Sequence, residues 1–569
     1  MTVVAELSAL DTGVERATER LFSLQHPDGW WKGELESNAT MIAEHLFLLH
    51  FLGLRDAETD RLLANELLAR RRDDGTWSIW FEGPPDLSVT VEAYTALKLA
   101  GVDAGDPTRD YIRRSGGVAK TRIFTRAFLA LIGQWPWRRL AHVPVELILM
   151  PAQGPLSVYD FACWARQTMV SLSVVEALQP VRPSTIDLTE IGGRKAGARS
   201  APRLSARRRQ AIAIAERWVR ERQEADGSWG GIQPPWVWSL IMLAALGHGF
   251  EDETFARGLA GWERFMIRDG DRLRNEACQS PVWDTALAVL ALRAAGVPAD
   301  DPRLQAAGEW LVREEVSARG DWAIRRPALA AGGWAFEFDN DLYPDVDDTA
   351  VVVLALRELG IGDAAVRRGL DWMVGMQSQS GGWGAFDVDN EALWLYKLPI
   401  CDFGKVTDEP TADVTAHALE ALGHEEGYGE SLASGLDWLL AEQERDGSWF
   451  GRWASTTSTA RARPCRRSRR AGSHPTTRRS GARSPGSTPS SRRAARSART
   501  SVRTPIPPGA AAARPRRHRP RGRCSRTSRA GPEWACPRGG PPTIFSKFSA
   551  RLVTGTSSTT RAQAFRWIS

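Results

Sequence analysis

The sequence lacks the features that mark disulfide-bonded, zinc-binding and membrane-spanning proteins. Only three of its six cysteines, Cys163, Cys278 and Cys401, precede residue 454, and no two cysteines stand in a Cys-x-x-Cys pair. This spacing indicates neither a disulfide framework nor a zinc site. No apolar run reaches the ~18 residues that a transmembrane helix needs. Because the N-terminus has no basic segment followed by an apolar one, we expect no signal peptide and a cytoplasmic or peripheral membrane protein.

Acidic residues are almost missing from the C-terminal part of the chain. The whole chain has 74 basic and 68 acidic residues, but 28 of the basic ones and only Glu533 of the acidic ones lie in 452–569. Residues 1–451 therefore carry a net charge of −21, although the whole chain carries +6. The basic isoelectric point belongs to the tail and says nothing about what the body binds.

Tryptophan, in contrast, is abundant, and many of the 24 copies recur in a fixed pattern. A polar helix ends at Gln, Gly follows four positions later, and Trp comes two positions after the Gly. The Gly permits a tight turn, the Gln amide can bond backbone groups, and the Trp can pack on the helix end. We interpret these turns as a stabilising device without chemistry. The complete copies are Gln25-Gly29-Trp31, Gln223-Gly227-Trp229, Gln377-Gly381-Trp383 and Gln443-Gly447-Trp449.

Apolar helical segments, most of which end in Gly, alternate with the polar helices. Polar outer helices that alternate with apolar inner ones are typical of an (α/α) barrel, so we predict an all-α fold. The length of 569 residues leaves room for two or more domains. The apolar segments begin near Thr40, Val89, Trp236, Val282, Asp347 and Asp413.

The most unusual stretch contains Asp345, Asp347 and Asp348 within four residues. Pro344 disfavours helix before it, an Asp can cap the helix that follows, and 350–356 is apolar, so the three carboxylates should lie at the mouth of a buried helix. Carboxylates that close cannot all ionise cheaply, so at least one should keep its proton near neutral pH. The residues alone leave open a solvated helix cap, a magnesium site and a proton donor.

Together these motifs resemble the squalene–hopene cyclases, which are class II triterpene cyclases, over roughly 15–453. The resemblance implies two (α/α) barrels, one of 1–34 plus 280–453 with the Asp motif and one of 35–279 inserted in it, around a large apolar cavity. It implies an isomerase (intramolecular transferase) of hopanoid biosynthesis that needs no cofactor or metal and cyclises squalene to hopene or hopanol. Beside the Trp turns, the segments that carry it are 83–87, 230–236, 280–285, 345–350, 401–404 and 413–417.

The resemblance makes Asp347 the residue that protonates the terminal alkene, with Asp345 and Asp348 as its neighbours. His417 and Asp413 lie four positions apart on one helix, so they share a face and can pair. A histidine charged by such a partner could hydrogen-bond the donor and make it more acidic. Without the family, His417 also fits an ordinary core histidine.

The resemblance also implies the walls of the cavity. A carbocation that passes from ring to ring needs dry aromatic surroundings, since a desolvated π face stabilises a cation by ~2 kcal/mol or more. Phe386 stands where the family commonly has Tyr, which we expect to alter the early ring steps. The matching wall positions are Trp164, Trp283, Phe336, Phe386, Trp453 and Ile232.

A polar group must end the cascade by removing a proton or adding water. Glu92 and Arg122, taken without the family, could simply form a buried salt bridge. The positions that match the family's terminating group are Gln233, Glu44, Glu92 and Arg122, and those that match its substrate entrance are Ile400, Cys401 and Phe403.

Two segments depart from the family. Residues 176–208 lack the apolar membrane helix that is usual there, although their basic residues could attract anionic lipid at ~1 kcal/mol each. The family resemblance predicts squalene or a similar polyprenyl compound as the substrate. A peripheral location on the cytoplasmic side of the cell membrane and a homodimer are both compatible with the family.

The second departure is the tail 454–569, which is rich in Arg, Ser, Pro and Ala. Taken literally, this composition predicts disorder, and its positive charge is of the kind that binds nucleic acid. We wrote possible GC-rich codons for 454–461, added one base in front of them and translated the shifted reading frame, which gives Gly-Val-Asn-Tyr-Ile-Tyr-Gly-Thr. The same shift of frame at 494–503 gives Gly-Gly-Ser-Val-Gly-Glu-Asp-Val-Arg-Ser. Both are family-like segments, so we interpret the tail as a frameshift product without a nucleic-acid partner. We expect the chain to fold poorly and to be weakly active or inactive.

Overall fold

The computed structural model describes residues 2–154, 156–196, 202–402 and 404–453, all of which belong to one compact unit. The predictions for Phe403 and for 454–569 lie outside the described residues. Short 3-10 turns connect many of the helices, and an antiparallel hairpin of β1 (Met266–Asp269) and β2 (Arg272–Asn275) pairs Met266 with Asn275.

Sixteen α-helices dominate the regular structure of the described residues, in which the only strands are those of this hairpin, and this confirms the all-α prediction. In chain order they are α1 Thr2–Ser23, α2 Ala39–Leu52, α3 Ala57–Ala69, α4 Leu87–Leu99, α5 Asp106–Arg114, α6 Ile123–Leu131, α7 Cys163–Leu178, α8 Ala206–Arg220, α9 Gln233–Ala245, α10 Glu253–Arg264, α11 Pro281–Ala294, α12 Pro302–Arg313, α13 Val346–Leu359, α14 Asp363–Gly375, α15 Ala412–Leu422 and α16 Gly429–Ala441.

The helices alternate between buried and half-exposed. Helices α2, α4, α6, α7, α9, α11, α13 and α15 are largely buried, as their mostly apolar sequences predict. The remaining helices present one face to solvent. The order departs from strict alternation only where α6 and α7, both buried, follow one another among the described helices.

Hydrogen bonds in the Trp turns hold the end of one outer helix against the start of another outer helix. At Gln377 the side-chain amide donates to the carbonyl of Gly381 at 2.7 Å and to that of Ser431, in the first turn of α16, at 3.0 Å. Gly381 has φ +102°, which explains the Gly. Trp383 Nε1 donates to the carbonyl of Met373 in α14 at 2.7 Å, so the indole satisfies a helix-end carbonyl in addition to packing.

The apolar core forms two large clusters. One is built mainly from residues between Ala39 and Phe265, and the other from Trp31 and residues between Val282 and Leu439. Ile400 and Cys401, although late in the chain, pack in the first cluster. The exact boundaries of the two barrels stay a prediction.

A buried ion cluster ties helix α7 to the later part of the chain. Arg166 lies 2.7 Å from Asp321 and 2.9 Å from Asp387, and Arg222 lies 2.6 Å from Asp321. Tyr343, two residues before Asp345, donates its hydroxyl to Asp321 at 3.1 Å. The cluster therefore holds in place the segment that leads into the Asp motif.

The described residues between α7 and α8 contain only one 3-10 turn, Thr189–Ile191, and no α-helix, as expected of a segment that lacks the apolar helix usual in the family. Among the described residues, no helix combines the length and hydrophobicity that crossing a membrane requires.

Candidate active site

A cavity of about 800 Å³ brings together most of the predicted site residues. Asp413, Ile400 and Cys401 are not among its wall residues, and the entrance role of Ile400 and Cys401 stays a prediction. The predicted residues that do line it are Asp345, Asp347, Asp348, His417, Trp164, Trp283, Phe336, Phe386, Trp453, Ile232, Gln233, Glu44, Glu92 and Arg122.

The start of helix α13 positions the three aspartates. Asp345 is the N-cap, and its carboxylate accepts a hydrogen bond from the backbone N–H of Asp348 at 2.7 Å. Thr349 Oγ1 donates to the carbonyl of Asp345 at 2.6 Å and accepts from the backbone N–H of Trp334 at 3.0 Å. The cap predicted from Pro344 and the acidic run is therefore present, and it directs Asp347 into the cavity.

Burial raises the pKa of two of the three carboxyl groups. It raises the pKa of Asp345 to about 7. Burial, together with the charge of Asp345, raises the pKa of Asp348 well above its usual value. Both groups can therefore hold a proton near neutral pH, as the sequence predicted for at least one of them. Asp347 is less buried, with 13 % of its side chain exposed, and has a different partner.

That partner is His417 on helix α15, whose Nδ1 lies 2.6 Å from Asp347 Oδ1. Burial lowers the pKa of His417, but the charge of Asp347, its hydrogen bond and the charge of Asp413 outweigh burial and raise the pKa to about 9. The ring is therefore an imidazolium at neutral pH, and its Nδ1–H donates to Asp347. We refer to Asp345, Asp347, Asp348 and His417 as the acid group.

Asp413 serves a second purpose that the sequence did not predict. Its Oδ2 accepts the backbone N–H of Trp453 at 2.7 Å, and its Oδ1 accepts that of Val414 at 3.0 Å. Asp413 thus adds charge near His417 and also fixes an aromatic residue of the wall.

Three rings of the wall form an aromatic triangle of Trp164, Phe386 and Trp453. Their centroids are 5.3 to 6.0 Å apart, and their planes are close to perpendicular. Edge-to-face pairs of this kind are favourable and leave π faces free. The face of each ring that is turned to the cavity can therefore stabilise a cation.

A second set of side chains, which we call the polar group, consists of Glu44, Glu92, Arg122 and Gln233. Burial, aided by the charge of Glu92, raises the pKa of Glu44 to about 8. Gln233 Nε2 donates to Glu44 at 2.9 Å. Burial also raises the pKa of Glu92, which accepts the hydroxyls of Thr40 at 2.8 Å and of Thr125 and lies 3.5 Å from Arg122.

Family models match nearly all of the described chain. The model of the squalene–hopene cyclase N-terminal domain matches residues 14–203 and 197–271, and that of the C-terminal domain matches 279–457. The chain belongs to the squalene–hopene cyclase family.

Curated relatives of this family member include the squalene–hopene cyclase of Alicyclobacillus acidocaldarius subsp. acidocaldarius, which is 44% identical and covers 79% of this chain and 77% of that protein. The dammaradiene synthase of Dryopteris crassirhizoma is 37% identical and covers 79% and 73%. The squalene–hopene cyclase of Zymomonas mobilis subsp. mobilis is 35% identical and covers 77% and 74%.

Two aspartates of this cyclase-family chain, the buried Asp408 and the half-buried Asp284, were not singled out from the sequence. Asp408 accepts the backbone N–H groups of Phe386 at 2.6 Å and Asp387 at 2.8 Å, and so holds the loop that carries one ring of the aromatic triangle. Asp284 lines the cavity and accepts the N–H of Gly33 at 2.7 Å. Asp284 lies in the family-like segment 280–285, which was the one available signal.

Among the described residues, no group of three or more His, Cys, Asp or Glu side chains is placed to hold a metal ion. The clustered aspartates of this family member instead have a cap, a histidine and each other as partners.

Proposed function

We propose that this chain cyclises squalene to hopene or hopanol by protonating a terminal alkene and guiding the resulting carbocation through ring closure. The observation that carries the proposal is the 2.6 Å contact between His417 Nδ1 and Asp347 Oδ1 at the wall of an aromatic-lined cavity. The names of the curated relatives support the substrate.

The first step is proton transfer from Asp347 to the alkene. An alkene is a very weak base, so the acid must gain stability as it loses its proton. The His417 imidazolium donates to Oδ1, which leaves Oδ2 for the proton, and it stabilises the carboxylate that forms. Burial favours the protonated forms of the neighbours Asp345 and Asp348, which limits their repulsion of that new charge.

The middle steps need a wall that stabilises positive charge without reacting with it. The aromatic triangle, with Trp283 and Phe336, supplies π faces along the cavity. The last step needs a polar partner, and Glu44, once ionised, is a base strong enough to take up the released proton because its pKa is about 8.

The test is incubation of the purified chain with squalene in detergent, followed by gas chromatography and mass spectrometry. Pentacyclic products that disappear with Asp347→Asn support the proposal, and unchanged squalene with a folded protein contradicts it. Parallel incubations with other polyprenyl compounds test the alternative, that another substrate of the same class is preferred.

The tail sets the expected level of activity. Because we interpret 454–569 as a frameshift product, we propose that the chain as written turns over slowly. Resequencing the coding DNA around Trp453, and comparing this chain with one in which the base is restored, tests that interpretation. Equal turnover of the two proteins would contradict it.

We also propose peripheral attachment to the cytoplasmic face of the membrane. Leu393 is 57% and Trp394 40% exposed, a few residues before the predicted entrance at Ile400 and Cys401. Exposed Trp and Leu side chains suit a membrane interface. Co-sedimentation with vesicles that contain anionic lipid should weaken when both are changed to Ser, and unchanged binding would contradict this attachment.

A further inference from the structure

One part of the cavity wall is charged, although the proposed cascade needs a dry cavity. We call it the charged mouth. It reaches solvent, because Glu36 and Asp269 expose more than half of their side chains, at 58% and 55%. The charged mouth consists of Glu34, Glu36, Glu66, Arg70, Asp269, Arg272 and Arg274, all of which line the same cavity as Asp347.

Ion pairs close the charged mouth. Arg274 binds Glu34 through two hydrogen bonds, of 2.6 and 2.9 Å. Arg70 lies 2.6 Å from Glu66 and 3.0 Å from Glu36. The Arg274–Glu34 pair joins two flexible side chains that are 15% and 36% exposed, so it can open and close without moving a helix.

Two short segments lead from the charged mouth to the polar group. Glu36 is four residues before Thr40, whose hydroxyl donates to Glu92, and four residues of extended chain span at most ~14 Å. In the second segment, Arg274 is three residues before Ala277, whose carbonyl accepts the backbone N–H of Gln233. The charged mouth therefore lies close to the polar group along both segments.

Among the described residues, buried polar atoms without a partner lie at both ends of these segments, on the cavity-lining residues Glu66 and Gln233, and also along the segments themselves. Five such atoms, spread over the two segments, the charged mouth and the polar group, have no hydrogen-bond partner within the described part of the chain. Each would take a partner such as water, which needs two to four polar neighbours. The atoms are Ser37 Oγ, Asn38 Nδ2, Glu66 Oε2, Asn275 Oδ1 and Gln233 Oε1.

The chemistry of this passage selects what can use it. A hydrocarbon gains nothing from charged walls and would strip the ion pairs of water, whereas a small polar molecule exchanges one set of hydrogen bonds for another. The predicted substrate entrance at Ile400 and Cys401 does not contribute to this wall.

We propose that the charged mouth is a water inlet to the polar group, gated by the Arg274–Glu34 ion pair, and that it sets how much of the final cation becomes alcohol. This inference rests on the cyclisation proposed above. A water oxygen forms the C–O bond with the final cation, and the proton that water loses passes to the polar group. When no water arrives, a C–H proton leaves instead and the product is an alkene.

The experiment removes one partner of the ion pair at a time, with Arg274→Ala and Glu34→Ala in the full chain. Both variants should raise the ratio of alcohol to alkene several-fold, and in H₂¹⁸O the alcohol should carry the label. Arg368→Ala is the matched control, because Arg368 forms an equally short bidentate pair with Glu315 and does not line the cavity.

A second readout does not depend on turnover. Cys278 lines the cavity beside Leu35 and Met41 and is buried. A small neutral methanethiosulfonate should modify it several-fold faster in both gate variants than in wild type or Arg368→Ala, as measured by peptide mass spectrometry.

The outcomes separate the two proposals. If no variant and no wild type forms cyclic product, the cyclisation fails, and faster modification of Cys278 still supports the inlet. If cyclic products form with an unchanged ratio and Cys278 reacts at the wild-type rate, the inlet is overturned. Opposite shifts in Arg274→Ala and Glu34→Ala would also overturn it, because both remove the same ion pair.

Discussion

The acid group and the polar group are both sets of buried carboxyl groups on one cavity wall, yet their cations are of different kinds. In the acid group, His417 contacts Asp347 at 2.6 Å and can itself lose a proton. In the polar group, Arg122 cannot, and it lies 3.5 Å from Glu92, while Glu44 is bonded to the neutral Gln233.

The difference teaches that burial alone does not make a proton donor. Burial raises the pKa of Asp345 to about 7 and of Glu44 to about 8, and both are therefore weak acids. A donor also needs a cation aimed at it, which stabilises the carboxylate left behind. Asp347 has one, whereas Glu44 does not, so the same chemical group can start the cascade at one place and end it at another.

The largest effect is expected from Asp347→Asn, which removes the proton donor and keeps its shape. The rate of squalene consumption should fall by roughly 10²- to 10⁴-fold, the usual contribution of a general acid. Asp363→Asn is the matched control, since Asp363 also lies in the first turn of a helix but is exposed. Loss of activity in both variants would mean that the assay reports folding.

The next largest effect should come from His417→Gln, which can hydrogen-bond Asp347 but carries no charge. A charged hydrogen bond is worth about 1.5–3 kcal/mol, so kcat should fall by roughly 10- to 100-fold. Steady-state turnover at saturating squalene measures kcat. An unchanged kcat in His417→Gln would show that the charge of the imidazolium does not assist Asp347.

Glu44→Gln should have a smaller effect on consumption, less than about tenfold, because the first proton transfer does not involve it. The ratio of alkene to alcohol should fall several-fold, since the final cation loses its base. Product analysis at equal conversion measures this ratio. If Glu44→Gln instead stops consumption as Asp347→Asn does, the two groups are not separate in function.

The sequence predicted local features better than long-range partners. Pro344, the acidic run and the apolar 350–356 sufficed for the cap at Asp345, because a cap depends on neighbours within three residues. The spacing of Asp413 and His417 placed them on one helix, whereas the bond from His417 to Asp347, which joins residues 70 apart, was expected only once the family resemblance had named Asp347 as the donor.

The family resemblance supplied the wall residues, which periodicity could not select. Asp408, which holds the backbone at Phe386, and the pairing of Arg274 with Glu34 across 240 residues left no local signal. In sequence, a carboxylate that accepts backbone N–H groups, or a half-buried Arg in a hairpin, looks like any other polar residue on a surface.

The smallest effect on catalysis, and an opposite effect on stability, is expected from Asp345→Asn. Asn caps helices as well as Asp does, so helix α13 should keep its start. The pKa of Asp345 is raised from 3.8 to about 7, so its protonation favours the fold fully below pH 3.8, and that contribution is lost as pH rises to 7. Since each pKa unit is about 1.4 kcal/mol, Asp345→Asn should be more stable than wild type by up to roughly 4 kcal/mol at pH 8, and no more stable near pH 3.5. Denaturant unfolding at the two pH values measures the difference. An advantage that does not depend on pH would mean that packing, and not the buried charge of the acid group, limits stability there.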